Sequence, residues 1–268
     1  SMNLAVNLGI KGISLTVSAA CASSSHAIGL AAMMIRSGMQ ERIICAGAQE
    51  VNVYSVGSYD GISAFSSRVN KPQEASRPFD KNRDGLVPSG GGAAIVIESL
   101  ESAMSRGANI IAEVKGYGIS SGGEHLTIPS VEGPYIAMKR ALDDAKIDAS
   151  ELDYINAHAT STKVGDANEA KAISKLLGDT KDTCYVTSTK SMTGHELWMA
   201  GTSEVVYSLI MMQNSFVAPN INLEEKDENA QLLNIPCEKV DKEINTFLSN
   251  SFGFGGTNSA LVISKWSE

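Results

Sequence analysis

The chain has no paired cysteines. It has four in all, Cys21, Cys45, Cys184 and Cys237, far apart and never in a C-x-x-C pair. That excludes a zinc knuckle and suits a reducing compartment, with the cytoplasm as the default setting. Positive charge is also short: 22 Lys and Arg face 30 Asp and Glu, for a formal net charge of −8. Phosphate binding needs clustered cations, so nucleic acid is disfavoured as a partner. No apolar run reaches the length of a membrane span, so no membrane partner is expected. The opening Ser1-Met2-Asn3-Leu4 lacks the charged-then-apolar pattern of a signal peptide. Histidine is scarce as well, with four in 268 residues, so the place of each one carries information.

What is present describes a folded protein. Hydrophobic residues make up 43% and charged residues 19%, enough core for one large domain or two small ones. Twenty-four glycines and seven prolines imply many tight turns. Short β-prone runs at 12–17, 42–46, 93–98, 110–117, 152–157, 185–188, 247–251 and 260–264 are expected strands. Helical periodicity marks 27–37, 99–106, 134–146, 166–177 and a long apolar stretch ending near Met212. The first of these is apolar almost all round and is expected to be buried. Pro134 suits a first helical position, and Asp166 with Glu169 has capping-box spacing. Residues 57–92 read as loop. Strands that alternate with helices and lack polar alternation predict an α/β layered fold. A Ser/Thr-rich turn, a small-residue helix and a Met-Met pair occur at Ser18 to Met34 and again at Thr187 to Met212, an echo of a duplicated half.

Several motifs carry chemistry. Cys21 lies among Ala and Ser at a strand-to-helix junction. A buried, inert thiol and a nucleophile both fit that setting. A helix N-terminus would lower the thiol pKa and favour the second. His158, in Asn156-Ala157-His158-Ala159-Thr160-Ser161-Thr162, follows a strand, where α/β folds place ligands. His195, closing Ser188-Thr189-Lys190-Ser191-Met192-Thr193-Gly194-His195, holds an equivalent spot. His26 and His125 have no such context and read as structural. The turn Phe252-Gly253-Phe254-Gly255-Gly256-Thr257-Asn258 lacks dinucleotide or P-loop spacing, and suits aiming a backbone N–H at an oxyanion. Gly118-Ile119-Ser120-Ser121-Gly122 matches G-x-S-x-G, but no helix follows it directly. His195-Glu196-Leu197-Trp198-Met199 is half of a zincin motif without its second His.

Together these motifs resemble the β-ketoacyl-[acyl-carrier-protein] synthases, type I and II condensing enzymes of the thiolase fold, from about residue 4 to residue 266. Type I character shows in Ser89-Gly90-Gly91-Gly92 and in Ala218 to Ile221. The resemblance implies a layered α-β-α-β-α fold, incomplete at the N-terminus. Residues 1–115 would be the remainder of the first half, with the nucleophile, and residues 116–268 the second half. Cys21 matches the nucleophile of A-C-A-S, and His158 and His195 the two catalytic histidines. Lys190 matches the lysine of S-T-K-x-M-T-G-H and Glu169 the glutamate of D-x-x-E. Thr160 and Thr162 match the threonines that bind phosphopantetheine. Phe254, with Phe252 beside it, matches the gating phenylalanine of G-F-G-G-T-N. Its N–H would share an oxyanion hole with that of Cys21.

The likeness further implies that Tyr59 lines the acyl pocket and that Arg68 contacts the acidic carrier. Asn156, Glu204, Ser249 and Asn250 would surround a monovalent cation. The implied activity is decarboxylative condensation of malonyl-carrier with an acyl group on Cys21. The enzyme would have no cofactor of its own, since phosphopantetheine arrives on the acyl carrier protein, and it would work as a homodimer. Ala159 and the Trp198-Met199 pair depart from the family's pattern. So does the N-terminus, where twenty residues precede the nucleophile in place of a βα-rich segment. The chain is therefore expected to be a fragment, weak or inactive by itself. A catalytically incompetent fragment with a structural or partner-assisting role is the alternative, with a Cys–His hydrolase as a third reading.

Overall fold

The structure, a computed structural model, describes residues 1–122 and 125–267. Eight α-helices are described: α1 (Met2–Leu8), α2 (Ser23–Arg36), α3 (Val53–Gly61), α4 (Leu100–Ser105), α5 (Glu132–Ala145), α6 (Lys163–Leu177), α7 (Lys190–Thr193) and α8 (Ala200–Gln213). The strands are β1 (Arg42–Gln49), β2 (Gly91–Glu98), β3 (Ala112–Ser121), β4 (Tyr154–Asn156), β5 (Tyr185–Thr187), β6 (Phe216–Val217), β7 (Val240–Asp241), β8 (Thr246–Gly253) and β9 (Thr257–Lys265).

The central sheet has the order β3-β9-β8-β4-β5. β9 runs antiparallel to both β3 and β8, and β8, β4 and β5 run parallel. Both faces are covered, which is why these strands read as continuous apolar runs. Residues alternate between two cores. Ile155, Leu248, Ala260 and Val262 pack with Met138 and Leu142 of α5 and Ile173 of α6. Tyr154, Phe247, Leu261 and Ile263 pack with Ile28 of α2 and Val205 and Met212 of α8. Ile28, Met138, Ile155 and Ile173 have no exposed surface, and each such side chain contributes roughly 1.5–3 kcal/mol. β1 and β2 form a separate antiparallel ribbon against α2 and α8, registered from Arg42 opposite Glu98 to Gln49 opposite Gly91.

Several expectations need correction. Residues 12–17 belong to no strand, and 12–16 are exposed, because no neighbouring strand pairs with them among the described residues. The apolar 43–46 run reads as a buried strand, yet β1 is half-exposed, with Ile44 facing outward beside an open ribbon edge. Only one side of α2 is buried; Met33 is 50% exposed. The 57–92 stretch is not all loop, since α3 runs into it, started by a capping box of Asn52 and Ser55. Pro134 is the third residue of α5, not the first. Asp166 caps nothing as an N-cap. α6 already begins at Lys163, and the Asp166 carboxylate instead accepts the Phe79 N–H (2.9 Å).

Candidate active site

β4, β5 and β8 are parallel, so their C-terminal ends open on one edge of the sheet. His158 follows β4, His195 follows β5 and the short helix α7, and Phe254 follows β8. The N-terminus of α2 meets the same edge and brings Cys21, two residues before the helix. Ser23 fixes this approach, accepting the Ala19 N–H (2.8 Å) and donating to the Ala20 carbonyl (2.6 Å). Two glycines permit the close packing. A Cβ on Gly201 of α8 would lie 2.6 Å from the Ser25 nitrogen, and one on Gly253 would lie 2.7 Å from the Ala19 oxygen.

Nε2 of His195 is 3.2 Å from Sγ of Cys21. The His158 and His195 rings meet edge to face, with centroids 5.3 Å apart, and the His158 and Phe252 rings lie 5.8 Å apart. Phe254 stacks on Tyr59 at 6.0 Å, at the rim. These side chains, with Thr160, Thr162 and Glu169, line a cavity of about 390 Å³. The hydroxyls of Thr160 and Thr162 are 3.2 Å apart on its wall. Neither the Cys21 amide nor the Phe254 amide donates a hydrogen bond among the described residues, so both are free to serve a ligand.

Burial sets the protonation states. It pushes the Cys21 thiol up to about 11, against the opposing pull of Lys190 and of Tyr59 beside it. The partial charge at the start of α2 therefore does not give the lowered thiol pKa read from the sequence, because desolvation outweighs it. Burial, and then the positive charge of Lys190, hold His158 and His195 well below the ordinary imidazole value, so both are neutral. Nδ1 of each ring is buried without a partner. An unpaired acceptor is tolerated better than an unpaired donor, so the Nε2–H tautomer fits both rings.

Behind the histidines lies a charged layer. Lys190 is fully buried and ion-paired with Glu204. Glu169 accepts the backbone N–H groups of His158 (2.9 Å) and Ala159 (2.7 Å), and so holds the backbone that carries His158. Burial lifts Glu169 to about 7 and Glu204 to about 8, with Lys190 pulling both down.

The cation set does not come together as one side-chain cage. Asn156 and Ser249 are register partners, and Asn156 faces α8, donating to Ser208 (3.2 Å). Asn250, next along β8, points through the other face of the sheet to Glu169 (3.1 Å). Oδ1 of Asn156, Oε2 of Glu204 and Oδ1 of Asn250 lack partners, yet the sheet divides them, and Lys190 already supplies the charge beside Glu204.

Arg68 lies outside the cavity, with 28% of its side chain exposed, donating to the Asn82 carbonyl (2.8 Å). His125, read as structural, lines the cavity. Its segment reads locally as plain loop. Long-range bonds bring it there, from the Gly255 N–H to the Leu126 carbonyl (2.7 Å) and from the Gly122 N–H to the Gly256 carbonyl (2.6 Å). His26 is structural as read, bridging Tyr117 (2.5 Å) and Thr257 (2.9 Å). Ser120 of the G-x-S-x-G match sits within β3, its hydroxyl donating to the Gly133 carbonyl (2.5 Å). Trp198 turns away from the cavity, its indole N–H donating to the Ala48 carbonyl (3.1 Å), and Met199 packs on Gly47. No helix among the described residues is long and apolar enough to cross a membrane.

Known proteins match this arrangement. Residues 1–103 match the family model of the beta-ketoacyl synthase N-terminal domain, and residues 111–224 that of the C-terminal domain. The chain is 44% identical over 263 residues to 3-oxoacyl-[acyl-carrier-protein] synthase 1 of Escherichia coli K12, covering 98% of this chain and 64% of that protein. It is 45% identical over 265 residues to the enzyme of the same name from Haemophilus influenzae, with 98% and 64% covered. Among solved structures, a beta-ketoacyl synthase from Burkholderia phymatum superposes with a TM-score of 0.95 at 38% identity, over 99% of this chain and 65% of that one. A ketosynthase in complex with its type II PKS acyl-carrier protein, bound to the hexaketide, does so with a TM-score of 0.95 at 33% identity, over 99% and 66%. The chain thus spans a little under two thirds of the length of these relatives. The layered α/β fold is the thiolase-like fold of these ketosynthases.

Proposed function

The chain belongs to the β-ketoacyl synthase family, and on that premise we propose that its site performs decarboxylative Claisen condensation for chain elongation in fatty-acid synthesis. The observation that carries this reading is the pairing of the Cys21 sulfur with Nε2 of a buried neutral His195, with neutral His158 beside it.

The Cys21 sulfur would attack the acyl thioester of an acyl carrier protein. A new S–C bond forms, the carrier's S–C bond breaks, and the carrier thiol leaves with the proton. The malonyl thioester then enters past Thr160 and Thr162. Its C–C bond to the carboxylate breaks and CO₂ departs. The electron pair passes into an enolate, whose oxygen takes hydrogen bonds from Nε2–H of His158 and His195. The carbanion attacks the acyl-Cys21 carbonyl, whose oxyanion is held by the Cys21 and Phe254 amides. The S–C bond breaks, which releases the β-ketoacyl product and a Cys21 thiolate, and a proton from solvent restores the thiol. Lys190 supplies positive charge behind the enolate and Glu169 keeps His158 in place. Tyr59, Phe252 and Phe254 shape the acyl entrance, and Arg68 offers a cation to an acidic carrier.

The reading carries with it a homodimeric assembly, a cytoplasmic setting and no cofactor resident on the chain. It also treats residues 1–115 and 116–268 as parts of two related halves. The test is incubation with acyl- and malonyl-carrier protein, followed by mass spectrometry of the carrier. Cys21→Ala should stop acyl transfer, and His158→Ala or His195→Ala should stop CO₂ release. Acyl transfer that persists in Cys21→Ala would sink the proposal.

A further inference from the structure

Residues 76–86 read locally as loop, yet Arg77, Asp80 and Arg83 are buried. Arg83 is 2% exposed, and all three nitrogens of its guanidinium donate hydrogen bonds. Nε donates to the Thr162 carbonyl (2.9 Å), and Nη2 to the Lys163 carbonyl. Nη1 donates to the Asp80 carbonyl (2.8 Å) and to Asp227 (3.0 Å), and Asp166 lies 3.5 Å from Nε. A rigid fork of donors suits this set of acceptors, and a lysine ammonium does not span it.

The turn held this way is the one bearing Thr160 and Thr162. Its middle residue, Ser161, has φ of 70°, a left-handed conformation that a non-glycine residue keeps only when its surroundings impose it. Those surroundings are the 76–86 segment. The Arg77 N–H donates to the Ser161 hydroxyl (3.0 Å) and the Gly85 N–H to the Ser161 carbonyl (3.0 Å). On its other flank the same segment receives Arg68 at the Asn82 carbonyl (2.8 Å). Asp84 accepts the Ser66 hydroxyl (2.6 Å) and the Ser67 N–H (3.0 Å). Residues 82–84 thus lie between the surface that carries Arg68 and the cavity wall that carries the two threonines.

We propose that Arg83 is a positioning residue that sets the Thr160–Thr162 turn for a pantetheine arm and couples this turn to the Arg68 surface. This rests on the carrier-thioester reading of the cavity given above. An arginine that only stapled the fold would, when changed, lower stability and every activity of the site together. A positioning residue acts on capture of the arm and leaves Cys21 itself reactive.

The experiment compares the chain with Arg83→Lys and with Asp227→Asn, which removes one outer acceptor. Three quantities are read: amide hydrogen exchange at 160–166, the concentration dependence of Cys21 acylation by an acyl-pantetheine thioester, and Cys21 alkylation by iodoacetamide. In Arg83→Lys, exchange at 160–166 and the half-saturating thioester concentration should each rise about tenfold, the loss of one charge-assisted hydrogen bond. The saturating rate and the alkylation rate should stay within about twofold. Asp227→Asn should move in the same direction by less. Unchanged exchange and saturation in both variants would overturn the proposal. So would a parallel fall of saturating rate, alkylation and thermal midpoint. Faster exchange in Arg83→Lys, with no acylation of the unmodified chain, would overturn the pantetheine reading while leaving the clamp on the turn intact.

Discussion

Nε2 of His195 reaches Sγ of Cys21 at 3.2 Å although 174 positions separate them, and both groups are buried and neutral. The pair is therefore a thiol beside an imidazole, not a thiolate–imidazolium ion pair. Alkylation of Cys21 by iodoacetamide should accelerate about tenfold per pH unit from 7 to 9 without levelling off, because a group at about 11 is far from half-ionised there. Lys190→Met removes a charge that lowers the thiol pKa, and should slow alkylation at every pH in that range. A plateau near pH 7, followed by mass spectrometry, would show a preformed ion pair instead.

The neutral histidines give stability a definite slope in acid. Their folded pKa values are depressed, so below the ordinary value of about 6.5 the unfolded chain binds protons that the folded chain refuses. Their contribution is intact above that value and is lost as pH falls toward the folded pKa, by up to about 1.4 kcal/mol per histidine per pH unit. Glu169 and Glu204 act with the opposite sign, since burial raises them to about 7 and about 8. Because the two pairs oppose each other between pH 7 and 5, His158→Asn/His195→Asn should leave the glutamates' trend uncovered, and its urea midpoint should gain on that of the unmodified chain as pH drops. Equal slopes would mean that the rings are charged in the folded state.

Glu169 holds two consecutive amides, so its loss should act on His158 before it acts on chemistry. Glu169→Ala leaves two buried N–H groups unpaired, and should cost about 1–3 kcal/mol for each in chemical denaturation. Decarboxylation should fall in kcat with KM nearly unchanged. A selective rise in KM would instead place Glu169 in substrate binding.

Two glycines give a contrast in packing. Gly201→Ala drives a Cβ to 2.6 Å from the Ser25 nitrogen and must part α8 from α2, costing about 1–3 kcal/mol. Gly57→Ala in α3 meets nothing within 4 Å and should be neutral or stabilising by up to about 1 kcal/mol through helix propensity. Thermal midpoints that do not separate the two variants would show that α2 and α8 are not tightly coupled.

The chemistry was more legible than its setting. Cys21, His158 and His195 stood out because each small, hydroxyl-rich motif followed an apolar run; parallel β4 and β5 bring the two histidine run-ends to one edge, which Cys21 reaches from the start of α2. The two-sided burial of β8 and β9 was legible for the same reason. The thiol pKa was misread because the local sequence displays the helix N-terminus and hides the desolvation. The burial of Arg83 was not legible because its partners Asp166 and Asp227 lie 80 or more residues onward, whereas Arg77 and Asp80 pair with each other three positions apart. Residues 12–17 have strand composition but no strand beside them. Composition records propensity, whereas a ladder also requires a neighbour.

The place of β9 in the sheet has a consequence for timing. It is the latest strand in the sequence, yet it lies between β3 and β8, and Ser259 reaches back to Ser25 of α2 at 2.7 Å. As the chain leaves a ribosome, β3 waits with an open edge until β9 arrives, and contacts of such long sequence separation form slowly. Shielding of the Cys21 thiol should then be among the last events of folding. The nucleophile itself becomes a clock, open to small alkylating reagents in every earlier state and slow to react only once the sheet has closed.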